Sequence, residues 1–173
     1  SAVAPLAARN ALAGNVLAIA AMALLLAGLG FKLALAPFHA WAPDVYQGSP
    51  TPVTAFLSVV PKGAALVVLA RIVFAVAPAT LAPRWTTLLA AVAVLSMVIG
   101  NLVAIAQRDV KRMLAYSGIA HMGYALVAVL VGGPDGASAV LVYLVAYTLM
   151  NMGAFAALAL LSGRDDRPQL IRD

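Results

Sequence analysis

The sequence predicts an all-α, polytopic membrane protein with about five transmembrane helices, the first of them broken near Pro37. Three observations carry that prediction. Of the 173 residues, 64% are hydrophobic and 10% are charged, whereas a soluble domain has about 45–50% apolar and about 25% charged residues. Mean hydropathy is +1.01. The chain also divides into apolar runs, each longer than the roughly 20 residues that span a hydrocarbon core, with most charged residues gathered between the runs.

The first span is expected over about 11–42, running unbroken to Leu35, interrupted at Pro37 and able to continue for two turns through Trp41. Proline removes a backbone donor and clashes with the preceding turn. The second span covers 52–76, with Thr51 as a cap and Pro52 at the first helical position. The third covers 85–106. The fourth, 110–131, follows at once behind Asp109, a suitable N-cap. The fifth covers 137–161, after the turn-forming stretch Gly132-Gly-Pro-Asp-Gly136. Between the first two spans, 43–51 reads as a loop. An uncharged run as long as the one after Arg9 exceeds the apolar core of a signal peptide.

Lys and Arg in the connections give an orientation. Arg9 and Arg84 fall on one side, and Arg108, Lys111, Arg112, Arg164, Arg167 and Arg172 on the other. The richer side is expected to be cytoplasmic, which puts the 43–51 and 107–112 loops and the C-terminal end there. Arg71, close to the end of the second span, is expected to snorkel outward. The net charge of +5 is thereby explained by membrane orientation, and nucleic acid is not expected as a partner.

The chain has no cysteine, which excludes thiolate-ligated iron–sulfur clusters and disulfides. Its two histidines, His39 and His121, lie in separate spans with no second ligand at metal-binding spacing. No cofactor or metal is therefore expected within the chain. Glutamate is absent, and no Asp lies inside an apolar run. A membrane lysine normally has a carboxylate partner, so that partner is expected on another chain or on further parts of a longer one.

Against this background Lys32 and Lys62 stand out, because each sits deep in an uncharged stretch beside a proline. A charged side chain near the bilayer centre costs about 2.5–3.5 kcal/mol on insertion scales, and residues of this kind usually mark ion or proton paths. Lys32 lies five residues before Pro37, and Lys62 directly follows Pro61. Each proline frees a carbonyl one turn earlier, that of Leu33 or of Leu57, and broken helices of this type often line transporter sites. For Lys32 the alternative is a side chain snorkelling from a helix end. His39, seven residues after Lys32, would share its helical face at roughly 10 Å if the helix continued. It suits a proton relay, and equally a residue that satisfies loose carbonyls past a helix break. His121, with Ser117 and Tyr124 a turn to either side, is either part of a hydrogen-bonded packing seam or of a water chain. Tyr143, Tyr147 and Asn151, and likewise Ser96, Gly100 and Asn101, read as helix-packing groups.

The stretch Gly28-Leu-Gly-Phe-Lys-Leu-Ala-Leu-Ala-Pro-Phe-His-Ala-Trp-Ala-Pro-Asp-Val-Tyr-Gln-Gly-Ser-Pro-Thr-Pro-Val53 closely resembles the antiporter-like membrane subunits of respiratory complex I (NADH-quinone oxidoreductase). Pro61-Lys62 and Gln107-Arg-Asp-Val-Lys-Arg-Met-Leu-Ala-Tyr-Ser-Gly-Ile-Ala-His-Met-Gly-Tyr124 carry the same resemblance. Within that family, Val45-Tyr-Gln-Gly48 favours the subunit N branch, which corresponds to subunit 2 of the mitochondrial enzyme. The resemblance implies a bundle of about fourteen helices, of which these would be helices seven to eleven. It also implies a proton-translocating role in the bacterial inner membrane. Lys32 and Lys62 would be the family's lysines of the broken helix and of the next helix, and His39 the histidine after the break, with Pro37 and Pro61 as supports. The family's carboxylate partner and a further lysine lie on helices outside this stretch. NADH, FMN, iron–sulfur clusters and quinone are then expected in partner subunits, alongside other membrane subunits and lipid. The competing readings are a subunit of a related cation/proton antiporter and a non-conducting membrane scaffold.

Overall fold

The computed structural model describes residues 16–76, 82–163 and 170–171. Among the described residues six helices follow one another: α1 (Val16–Leu33), α2 (Trp41–Gly48), α3 (Thr51–Val76), α4 (Ala82–Ile105), α5 (Val110–Val131) and α6 (Gly133–Ser162). Four of them contain segments long and apolar enough to cross a bilayer: Thr51–Phe74, Trp85–Ile105, Val110–Val131 and Gly133–Ser162. The apolar part of α1, Ile19–Leu33, is shorter. Residues 11–15, where the first span was expected to begin, lie outside the described residues.

The helices are apolar on both faces, as lipid demands. On α6 the inward row is Val140, Tyr147, Asn151, Phe155 and Leu158. The outward positions, Leu141, Val142, Val145, Leu149, Leu160 and Leu161, are equally hydrophobic and exposed. Sequence periodicity therefore cannot tell the core face from the lipid face; packing decides. Leu66 and Leu69 of α3, Leu89 and Ala93 of α4, Met122, Leu126 and Val129 of α5, and Val140 of α6 form the central core. A second cluster around α2 joins Ala42 and Tyr46 to Ala115, Ile119, Phe155 and Leu158.

Small residues set the closest approach. A methyl group on Gly100 of α4 would lie 2.6 Å from the backbone nitrogen of Ala120, and one on Gly123 of α5 would lie 2.8 Å from the carbonyl oxygen of Ala93. The two helices thus pack backbone to backbone, as membrane helices do through small residues. The packing role expected of Gly100 is realised in this contact.

The interruption after α1 differs from the expected proline break. α1 stops at Leu33, four residues before Pro37, because Ala34 takes a left-handed conformation with φ of 56°. The Leu35 N–H then bonds the Gly30 carbonyl (2.8 Å) and the Ala34 N–H bonds the Phe31 carbonyl (3.0 Å). This is the paired hydrogen-bond pattern of a Schellman C-cap, with alanine where glycine is usual. The Ala36–Pro37 peptide is cis. The next backbone donor is met from across the bundle, since Ala36 N–H donates to Ser96 Oγ of α4 at 3.0 Å. Helix does not continue through Trp41. It restarts there, and most of the 43–51 segment read as a loop is α2.

α2 is held at one end of the bundle by the start of α5. Lys111 Nζ donates to the Ser49 carbonyl at 3.0 Å, and Arg112 reaches Asp44 and Gln47. Asp109 caps α5 as its sequence position suggests, accepting from Arg112 N–H at 2.9 Å. Residues 170–171 lie at the same end, where Ile171 N–H donates to the Arg108 carbonyl at 2.8 Å. Residues 43–51, 107–112 and 170–171 thus meet at one end of the described fold. The last helix begins earlier than expected, at Gly133, with Gly132 at φ of 70° turning the chain and Pro134 in the first turn.

Candidate functional site: a buried amine beneath α2

Pro61 sits within α3 without ending it, and Lys62 follows in the middle of the helix. The Lys62 side chain is 0% exposed, and its Nζ has no hydrogen-bond partner among the described residues. Around it stand aromatic and small groups from three other helices. The Tyr46 ring of α2 faces the amine with its centre 5.4 Å away. Gly118 of α5 presents bare backbone, so that a methyl placed there would lie 2.9 Å from Lys62 Nζ and 3.1 Å from the Tyr147 hydroxyl of α6.

The Tyr147 hydroxyl donates to the Ser58 carbonyl at 3.1 Å, in the turn of α3 that precedes Pro61. The carbonyl expected to be freed there was that of Leu57; the tyrosine meets its neighbour. The His121 ring lies 5.4 Å from the Tyr147 ring, centre to centre. Its Nδ1 pairs with the Tyr143 hydroxyl at 2.6 Å. Lys62, Tyr147, His121 and Tyr143 therefore line one polar seam between α3, α5 and α6, with Lys62 and Tyr147 buried and His121 and Tyr143 half-buried. The Tyr46 hydroxyl is also buried without a hydrogen-bond partner, and burial pushes its phenol above the ordinary value. Tyr46 thus offers Lys62 a neutral ring.

The other sequence-predicted residues are placed differently. Lys32 ends α1 on an exposed face, in the last turn, where a cation complements the helix dipole. No hydrogen bond or ion pair engages it among the described residues. The helical register expected between Lys32 and His39 is absent, because 34–40 is not helical. His39 is half-buried, its ring edge-on to Tyr116 at 6.4 Å and its Nδ1 buried without a partner. Arg71 is exposed on α3. Among the described residues no three of His, Cys, Asp and Glu converge as a metal site would need.

Two members of the seam, Tyr143 and Tyr147, read from the sequence as packing groups, although their four-residue spacing with Asn151 marks a polar stripe, and two residues beside the amine, Tyr46 and Gly118, are not singled out at all. Asn151 does stay within its own helix, donating to the Tyr147 carbonyl at 3.1 Å. Tyr46 and Gly118 carried no signal of their own.

A fully buried amine inside a bundle of apolar helices of membrane-spanning length defines an integral membrane protein. The chain belongs to the NADH:quinone oxidoreductase/Mrp antiporter transmembrane family, whose model matches residues 3–173. It is 52% identical over 153 residues to NADH-quinone oxidoreductase subunit N of Desulfovibrio desulfuricans, covering 88% of this chain and 30% of that protein. It is 49% identical over 161 residues to the chloroplastic NAD(P)H-quinone oxidoreductase subunit 2 of Mesostigma viride, covering 92% of this chain and 32% of the relative. Among solved structures it resembles a chain of respiratory complex I from Thermus thermophilus, with a TM-score of 0.72 and 45% identity over 91% of this chain and 33% of that one. A chain of the Mrp complex from a Dietzia species matches with a TM-score of 0.80 and 26% identity, over 97% and 30% respectively. The chain spans about a third of the length of these proteins.

Proposed function

We propose that this chain is the central part of an antiporter-like, proton-translocating subunit of a respiratory NADH-quinone oxidoreductase. In this reading Lys62 takes up and releases a proton inside the bilayer, and His121 continues the path along the seam. The observation that carries the reading is the buried, unpartnered Lys62 amine, since a group so placed is costly unless its charge is used. Lys32 and His39 serve the side facing the rest of the subunit, where a carboxylate on another helix pairs with the exposed Lys32. Pro37 and Pro61 support the two lysine-bearing segments. The end bearing α2, Lys111 and Arg112 faces the cytoplasm by the excess of basic residues.

The chain carries no bond or redox chemistry of its own in this account. NADH oxidation, with FMN and iron–sulfur clusters, and quinone reduction occur in partner subunits. Their energy reaches Lys62 as a change in local field and packing. Neighbouring membrane subunits and lipid cover the exposed apolar faces.

The likeness to the Mrp complex chain supports a second reading, a cation/proton antiporter subunit. Both readings are tested by measuring proton pumping against quinone reduction in the full-length assembled complex, comparing Lys62→Met and Lys32→Met with wild type. Methionine removes the charge and roughly keeps the length. The proton reading expects assembled variants with lowered pumping at all sodium concentrations. Pumping that requires sodium favours the antiporter reading. Normal pumping by both variants leaves only a scaffold.

A further inference from the structure

A charge on the Lys62 amine needs a partner, and the carboxylates among the described residues are placed elsewhere. Asp44 holds Arg112, and Asp109 caps α5. Asp135 lies in the first turn of α6, roughly 18 Å along that helix from Tyr147. The Tyr147 hydroxyl gives its proton to the Ser58 carbonyl, and Lys62 Nζ makes no hydrogen bond among the described residues. What faces the amine at close range is the Tyr46 ring, its centre 5.4 Å away. That is inside the roughly 6 Å over which an aromatic face attracts a cation. Both side chains are fully buried, the setting in which this attraction is strongest.

The ring is fixed relative to the amine by more than α2 itself. The Tyr46 carbonyl accepts from Thr54 Oγ1 at 3.2 Å, on the helix that carries Lys62, and the ring stands edge-on to Phe155 of α6 at 6.3 Å. The Tyr46 hydroxyl, in contrast, is buried without a hydrogen-bond partner. The part of the residue that meets the lysine is therefore its face and not its oxygen.

From this we propose that Tyr46 is a positioning residue for the proton path, its ring face holding the Lys62 ammonium where a carboxylate would otherwise stand. The proposal rests on the proton-translocating reading given above. A ring suits a transient charge better than a carboxylate does. It attracts the ammonium while the proton is present, and it leaves no uncompensated buried anion when the proton departs. Its pull follows the electron density of the face. Fluorine draws that density outward while adding little bulk, so it weakens the contact and keeps the side chain.

The test uses the full-length assembled complex. It compares wild type, Lys62→Met, Tyr46→Phe, and the Tyr46→Phe change made with mono-, di- and trifluorinated phenylalanine. Assembly, melting temperature, quinone reduction and proton pumping are measured for each. Tyr46→Phe is expected to pump like wild type. Pumping is then expected to fall with each added fluorine, to about tenfold below the unfluorinated ring, the scale of a desolvated cation–π contact. Assembly and melting temperature should hold throughout the series. Equal pumping across the series overturns the proposal. So does a loss that follows the melting temperature, which reduces the ring to packing. A Tyr46→Phe variant that fails to assemble or to pump overturns it as well, because the hydroxyl is then the working group. If Lys62→Met is impaired while the fluorinated series matches Tyr46→Phe, the role of the ring fails and the translocation reading stands. If Lys62→Met pumps normally, both fall.

Discussion

The Lys62 amine lies 5.4 Å from the centre of the Tyr46 ring, so a buried amine is roofed by an aromatic π face where a carboxylate is the commoner partner. The ring belongs to α2, a helix of eight residues that owes its place to α5. Tyr46 also packs edge-on against Phe155 of α6 at 6.3 Å. One side chain thus covers the lysine and joins α2 to the far helix.

Tyr46 separates ring from hydroxyl in its effects. The hydroxyl is buried and unbonded, so Tyr46→Phe should leave the thermal stability of the solubilised complex unchanged or slightly raised. Tyr46→Ala removes a fully buried ring and should cost about 3–5 kcal/mol by the cavity it leaves. Thermal unfolding of the two variants, compared with wild type, checks both halves.

Ser96 was expected to act in packing, and the structure gives it a sharper duty. Its hydroxyl accepts from Ala36 N–H at 3.0 Å while donating to the Val92 carbonyl at 2.7 Å. Ser96→Ala orphans a buried backbone donor in the segment after α1, with a cost of about 1–3 kcal/mol. Faster proteolysis or hydrogen exchange across 34–40 in the variant is the expected signature.

The anchoring of α2 should rest on Lys111 more than on Arg112. Lys111 is 7% exposed and bonds the Ser49 carbonyl. The Arg112–Asp44 pair has side chains 28% and 74% exposed, and pairs in that setting are worth about 0–1 kcal/mol. Asp44→Asn should therefore barely shift the melting temperature, and less still in high salt. Lys111→Met should lower it measurably at any salt concentration.

Glycines divide sharply by surroundings. Gly100→Ala forces a methyl to within 2.6 Å of the Ala120 backbone, which cannot move aside as a side chain can, and the complex should fail to assemble normally. Gly153→Ala meets nothing within 4 Å and should assemble like wild type. Blue-native gels of membranes expressing each variant distinguish the two.

The spans themselves were legible because uncharged length suffices to define them, and Lys62 was legible because charge inside such a run is rare. The helix ends were not. α1 stops at an alanine, with no glycine or asparagine to announce a left-handed residue. α2 is written in Trp41-Ala-Pro-Asp-Val-Tyr-Gln-Gly48, whose proline, aspartate and glycine read as loop chemistry, and what it packs on and is anchored by, Ile119, Phe155 and Lys111, lies more than sixty residues away. The seam around Lys62 was hidden for the same reason. Tyr147 and Gly118 reach the amine only through the register of α5 and α6 against α3, and helices that are apolar all round give no periodicity from which to read that register.

The backbone pairing of Ile171 with Arg108, and of Leu170 with Asp109, carries a mechanical consequence. The pairing sets residues 170–171 against the start of α5, beside the Lys111 and Arg112 contacts that hold α2. That point of the chain is thus moored next to the short helix whose Tyr46 roofs Lys62, so a pull on it loads the roof of the amine before the seam beneath.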